Sequence, residues 1–197
     1  MDKLENLEFV GVTQQKEWGE ILTDFETKNK YSIIDEQGRP LYDVFESGGG
    51  LGRLISRLFL KSLRPFQMKV MDGQEVLRIN RPFRFYFHQI EIIDGNDKVL
   101  GTVKRKFTLL RRKYSVRNNS GQEICELVGP IFHPWTFNIQ YNGRKIGKIS
   151  KEWSGVGKEL FTDADNFGVR FPVDLDLEQK KILIGAVFLI DLMHFEK

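Results

Sequence analysis

The stretch Lys180-Lys181-Ile182-Leu183-Ile184-Gly185-Ala186-Val187-Phe188-Leu189-Ile190-Asp191-Leu192-Met193-His194 is apolar on nearly every side of a helix, and its environment decides the fold. A helix without a polar face must be enclosed on all sides or lie in a bilayer. The unbroken run from Ile182 to Ile190 ends at Asp191, well short of the roughly 20 residues that cross a membrane. The spacing therefore predicts a buried helix over 178–194. Asp176, with Gln179 three residues on, has the pattern of an N-cap and capping box.

The container for that helix is sought upstream, where one pattern recurs: an apolar segment, a polar turn with Gly, and a second apolar segment. It reads as a β-hairpin. The copies run from Tyr31–Ile34 through Gly38 to Leu41–Val44, and from Phe66–Val70 through Asp72-Gly73 to Val76–Ile79. Two more join Ile90–Ile92 to Val99–Val103 and Tyr114–Val116 to Ile124–Leu127, and a fifth joins Phe137–Ile139 to Ile146–Ile149 through Asn142-Gly143. A sixth pairs Glu159–Phe161 with Phe167–Phe171 across Asp163-Ala164-Asp165-Asn166. The turn residues supply the positive φ of tight hairpins.

Six hairpins make about twelve strands, and so many antiparallel strands best avoid exposed edges by closing into a barrel, with a sandwich as the alternative that the all-apolar helix disfavours. The expected fold is mainly β: a closed antiparallel barrel enclosing the C-terminal helix. Trp18, Ile21, Leu22 and Phe25 add an N-terminal amphipathic helix packed outside it. Residues 1–12 are expected to form a tail and 13–197 a single domain.

Composition agrees with one globular domain: 197 residues, 41% hydrophobic and 12% aromatic. A net charge of +3 does not specify a nucleic-acid partner, and none is expected. Cys125 is the only cysteine, so neither an intrachain disulfide nor a thiolate metal cluster is available. The opening Met1-Asp2-Lys3-Leu4-Glu5 is too polar for a secretory signal, which leads to the expectation of an intracellular, cytoplasmic protein. Covalent catalysis is not expected. His88, His133 and His194 lie in no metal-ligand or nucleophile spacing, and Gly48-Gly49-Gly50 lacks the Lys-Ser or Lys-Thr of a phosphate loop.

Several segments, in order, carry a resemblance. Phe25-Glu26-Thr27-Lys28-Asn29-Lys30-Tyr31, Arg81-Pro82-Phe83-Arg84, Gly147–Trp153, Phe161–Gly168 and Ile184–Asp191 resemble the phospholipid scramblase family from about Trp18 onward. The resemblance implies a Tubby-like C-terminal fold, twelve strands around a helix, of the LURP-one-related superfamily. It also implies membrane association and lipid scrambling, with Ca2+ as the one candidate cofactor.

The family's calcium segment falls on Asp163 to Asp174, making Asp163, Asp165, Asn166 and Asp174 the candidate ligands. The spacing is like that of an EF-hand loop. Phe167 and Phe171, however, occupy positions that should supply oxygen, so any site is expected to be weak. The competing interpretation is a polar turn followed by a strand whose Phe167, Val169 and Phe171 share one face.

Two basic clusters suit an anionic phospholipid surface, which is the expected partner. In Leu51–Arg64, the residues Leu51, Leu54, Ile55, Leu58 and Phe59 share a helical face flanked by Arg53, Arg57, Lys61 and Arg64. The second cluster is Lys104, Arg105 and Lys106 with Arg111, Arg112 and Lys113. Many animal members carry cysteine clusters suited to palmitoylation where this chain has Phe85-Tyr86-Phe87-His88, so acyl anchoring is not expected. Those aromatics, with Ile131-Phe132-His133-Pro134-Trp135, suit a headgroup layer instead.

The expected function is thus a scramblase-like protein acting on or at membrane phospholipids, with peripheral membrane association. The alternatives are a peripheral anionic-lipid-binding module without scrambling activity and a soluble interaction or regulatory protein.

Overall fold

The computed structural model describes residues 1–15, 30–47, 65–82, 88–151 and 166–194. A 3-10 turn at Asp2–Leu4 precedes β1 (Phe9–Gln14), β2 (Lys30–Ile34), β3 (Pro40–Ser47), β4 (Phe66–Asp72), β5 (Gln74–Arg81) and β6 (Gln89–Asp94). There follow β7 (Val99–Lys106), β8 (Arg112–Asn118), β9 (Glu123–Gly129), β10 (Thr136–Tyr141), β11 (Arg144–Ser150), β12 (Phe167–Arg170) and one helix, α1 (Leu177–His194).

The strands close into a barrel in sequence order, each antiparallel to its neighbours, with β1 seated between β2 and β12. The five hairpins expected between Tyr31 and Ile149 all form. At the two-residue turn from β10 to β11, Asn142 and Gly143 take φ values of 48° and 75°, the left-handed pair that matches the twist of the flanking strands.

Two expectations change. β12 has both edges taken, by β11 and β1, which leaves no place beside it for Glu159–Phe161. Residues 159–161 themselves lie outside the described residues, as does the amphipathic pattern Trp18–Phe25. The strand that completes the barrel comes from the N-terminus. Residues 1–12, expected as a tail, supply the 3-10 turn and most of β1, because Leu4, Phe9, Val10 and Val12 are apolar side chains that bury in the seam and under the barrel.

Alternate residues point inward: Phe66, Met68 and Val70 on β4, Leu77 and Ile79 on β5, Ile90 and Ile92 on β6, Phe137 and Ile139 on β10. Side chains fill a barrel of about eight strands, and a twelve-strand ring needs something wider at its axis. α1 supplies it, with Ile182 through Ile190 all buried. The capping box forms as expected: Gln179 N donates to Asp176 Oδ1 at 2.8 Å, and Asp176 N to Gln179 Oε1 at 3.3 Å.

The fit is close where the helix leans on β6 and β7. A Cβ at Gly185 would stand 2.6 Å from Ile92 Cγ1, and one at Gly101 would meet both the Arg117 carbonyl and Ile182. Below the helix, the buried Lys180 ammonium donates to the carbonyls of Leu4, Glu5 and Leu7, at 3.3, 2.6 and 3.0 Å, and so ties the N-terminal turn across the barrel end.

Gly185→Ala should therefore overpack the helix against Ile92 and cost about 1 to 3 kcal/mol. Asp176→Ala should cost about 1 kcal/mol through the lost cap. Urea unfolding of both variants checks the ranking, with Gly185→Ala the weaker fold.

Candidate functional site

The alternation of strand directions sorts the connections by length. β2 to β3, β4 to β5, β6 to β7, β8 to β9 and β10 to β11 are joined by tight turns, and all of these lie at one end, with Lys180 and the 3-10 turn. The remaining connections, including 107–111 and 130–135, leave from the other end, where α1 terminates at His194. The two ends are called the turn end and the loop end below.

This sorting places the sequence candidates. Arg53, Arg57, Lys61 and Arg64 lie outside the described residues, but the strand ends that flank them, Ser47 and Phe66, stand at the loop end. Phe85–Phe87 likewise lie outside, between β5 and β6.

Of the calcium candidates, the two described residues Asn166 and Asp174 are not brought together. Asp163 and Asp165 lie outside the described residues. Asn166 is buried at the loop end, whereas Asp174 is exposed beyond the far end of β12. Extended backbone between Asn166 and Phe171 spans about 16 Å at 3.3 Å per residue, against the 2.3–2.6 Å of a calcium–oxygen bond. Phe167 and Phe171 are buried at 2% and 3% exposure, so the loop positions they occupy face the core. Asn166 and Asp174 therefore do not share one coordination shell.

The second basic cluster divides. Lys106 Nζ sits 2.9 Å from Glu123 Oε2 and 2.6 Å from Glu126 Oε1, with Lys113 3.8 Å from the same Glu126. Burial works against the Lys106 charge, yet its hydrogen bonds to Glu126 and Glu123 raise its pKa. These two lysines are already compensated.

Arg112 is also engaged. Its Nη1 donates to the Pro134 carbonyl at 2.6 Å and its Nη2 to those of Pro130 and His133 at 3.3 Å, while the guanidinium lies 4.6 Å over the Phe137 ring. Burial lowers its pKa. Lys104 and Arg111 are exposed and Arg105 half-buried, and among the described residues neither Arg105 nor Arg111 forms an ion pair with a carboxylate.

Between the two basic triplets lies a feature the charge pattern obscured. Phe107, Leu109 and Leu110 are 89%, 88% and 76% exposed, and Phe132 in the neighbouring connection is 89% exposed. The signal was present as Phe-Thr-Leu-Leu between Lys106 and Arg111 in a hairpin connection. Attention to the charges alone passed over it.

Inside this rim, the helix C-terminus meets polar groups. Tyr31 donates its hydroxyl to Asp191 Oδ2 at 3.0 Å, and Lys151 lies 3.5 Å from Asp191 Oδ1. Arg81 donates to His88 Nδ1 at 2.5 Å, and Tyr114 OH lies 2.7 Å from His194 Nε2. Burial, then Arg81 and Arg105, pushes His88 down to about 4. Burial, then Arg112, Arg105 and His88, does the same to His194. His194 thus ends the helix as a neutral ring, although a cation there would suit the helix dipole. Cys125 is buried, and burial pushes its thiol up to about 12, which makes it inert.

A closed antiparallel barrel wound round one apolar helix, with its strand-to-strand connections sorted by length between the two ends, is the class of protein that these features define. The chain belongs to the scramblase family: the family model described as Scramblase matches residues 1–197. It is 34% identical over its whole length to phospholipid scramblase 1 of Mus musculus, covering 64% of that protein. It is also 34% identical to phospholipid scramblase family member 5 and to phospholipid scramblase 1 of Homo sapiens, covering 77% and 65% of them. The chain thus spans slightly less than two thirds of the mouse relative. No solved structure matches the chain. Among the described residues, no helix is long and apolar enough to cross a membrane.

The two neutral histidines make stability pH-dependent. Their folded pKa of about 4 lies below the ordinary value of 6.5. The unfolded chain therefore binds more protons between these values, and stability present above pH 6.5 falls as pH drops toward 4. With solvent screening of these half-buried rings, the loss should total about 1 to 3 kcal/mol. Urea midpoints from pH 7 to 4.5 should show that decline, and His88→Gln/His194→Gln should flatten it.

Proposed function

We propose that the chain acts at membrane phospholipids as a scramblase-like protein that docks through its loop end onto anionic headgroups. The observation that carries this is the pair Arg105 and Arg111, cations at the loop end that meet no carboxylate among the described residues, on a chain of the scramblase family. Lys104 stands exposed beside them. Each such cation near an anionic surface contributes about 1 kcal/mol, less with salt. Docking of this kind requires no calcium.

A peripheral lipid-binding module without translocation is the second reading, and the enclosure of α1 favours it. Moving a headgroup between leaflets needs a polar path through a hydrocarbon layer about 30 Å thick. α1 is apolar on its buried faces and packed inside the barrel, so it lines no such path while the barrel is closed.

Flotation with phosphatidylserine-containing vesicles tests the docking. Binding should weaken with salt and ignore a calcium chelator, and Arg105→Gln/Arg111→Gln should reduce it about 30-fold at low salt, equivalent to about 2 kcal/mol. Equal binding to neutral and anionic vesicles would contradict the headgroup reading. Dithionite bleaching of labelled lipid in reconstituted vesicles then separates the two readings. Bleaching beyond the outer leaflet supports translocation, and its absence supports the module.

A further inference from the structure

The exposed apolar side chains at the loop end come from two connections that the structure holds side by side. Phe107, Leu109 and Leu110 lie between β7 and β8, while Ile131, Phe132 and Trp135 lie between β9 and β10. Arg112, the first residue after the first connection, donates hydrogen bonds to three carbonyls of the second. One planar guanidinium thus fixes the spacing of two apolar tips, a geometry a lysine ammonium cannot reproduce.

We infer that the Phe107–Arg111 and Pro130–Trp135 connections enter a phospholipid bilayer together, as one apolar wedge spaced by Arg112, with the loop end of the barrel against the membrane. The inference rests on the membrane reading above and adds the element that penetrates. Its occupant follows from the layering of chemistry along β7. Lys104 lies three residues behind Phe107, or about 10 Å at 3.3 Å per residue. An interfacial segment sinks about 5–10 Å below the headgroups. Phe107 and Leu109 in the acyl boundary therefore leave Lys104 and Arg105 among the headgroup phosphates. Trp135, 42% exposed at the base of the second connection, takes the interfacial level that Trp favours.

A protein partner would be met by complementary acids around the apolar tips. Among the described residues, Glu123 and Glu126 on β9 are instead occupied by Lys106 and Lys113, and Asp191 at the helix end by Tyr31 and Lys151. The turn end also exposes Val173, Tyr141 and Ile146 near Arg144 and Lys145, but there Asp174 and Glu123 line the same pocket as the apolar side chains.

The test uses the full chain and vesicles of phosphatidylcholine with phosphatidylserine. Phe107→Ser and Phe132→Ser leave the charge unchanged, and each should lower partitioning about tenfold, with Val173→Ser as an unaffected control. Arg112→Lys should lower partitioning similarly while leaving its salt dependence intact, because it keeps the charge and loses the clamp. Native Cys125 is 1% exposed, so Leu109→Cys labelled with an environment-sensitive fluorophore reports depth without a background site. Doxyl groups high on the acyl chain should quench it, and a label at Val173→Cys should stay unquenched.

If the Ser variants bind as wild type and the Leu109 label is not quenched, while Arg105→Gln/Arg111→Gln still loses binding, the wedge is overturned and headgroup docking stands. If no variant or wild-type protein binds any vesicle, both fail. If the Ser variants instead convert a dimer to a monomer in light scattering with vesicle binding unchanged, the patch belongs to a second copy of the chain and the wedge is again overturned.

Discussion

An apolar helix that does not reach across a bilayer must be enclosed, and the rest of this structure follows from that constraint. α1 cannot face water along Ile182–Ile190, so a wall has to surround it. A wall of twelve strands has the width to do so without leaving an empty axis. Closure also removes the free sheet edges that so many antiparallel strands would otherwise expose. The helix and the barrel are thus each incomplete alone. Their fit is tight enough that glycine is required at Gly185 and Gly101, where backbone and wall nearly touch.

Closure by successive hairpins has a second consequence. An antiparallel ring built from tight turns puts every other strand-to-strand connection at the opposite end. One end is stapled by Lys180 and the N-terminal turn, and the other gathers the chemistry. The loop end holds the polar contacts of Asp191, His88 and His194 inside, and cations and apolar tips outside. A barrel whose two ends differ in this way is directional, which suits attachment to a surface.

Much of the fold was legible because hairpins announce themselves locally. Alternating apolar residues and the turns at Gly38, Gly73, Asp94-Gly95-Asn96, Gly121 and Asn142-Gly143 placed five hairpins correctly. The missing strand was harder, since β1 has no turn partner and pairs with β12 across more than 150 residues of chain. Long-range closure leaves no local signature, so Glu159–Phe161 looked the better mate for Phe167–Phe171. The candidate site was legible as charge and as the segment Ile131–Trp135, while Phe107, Leu109 and Leu110 were not read. Sequence spacing grouped Lys104, Arg105, Lys106, Arg111, Arg112 and Lys113, but cross-strand neighbours decide which cations are used. Glu123 and Glu126 on β9 take two, and backbone carbonyls of the next connection take Arg112. Asp163, Asp165 and Asp174 had the spacing of a calcium loop, yet β12 runs through it as extended wall.

The central claim is that the loop end meets lipid while the barrel stays closed around its helix. Amide hydrogen exchange with and without phosphatidylserine vesicles tests it most directly. The account predicts that amides of Phe107–Arg111 and Ile131–His133 gain protection, while those of β6, β7 and β8 beside the helix keep theirs. Loss of protection in those strands would mean that the barrel opens to release α1, and protection appearing at the turn end instead would mean that the wrong surface has been assigned to the membrane. Either result would contradict the account.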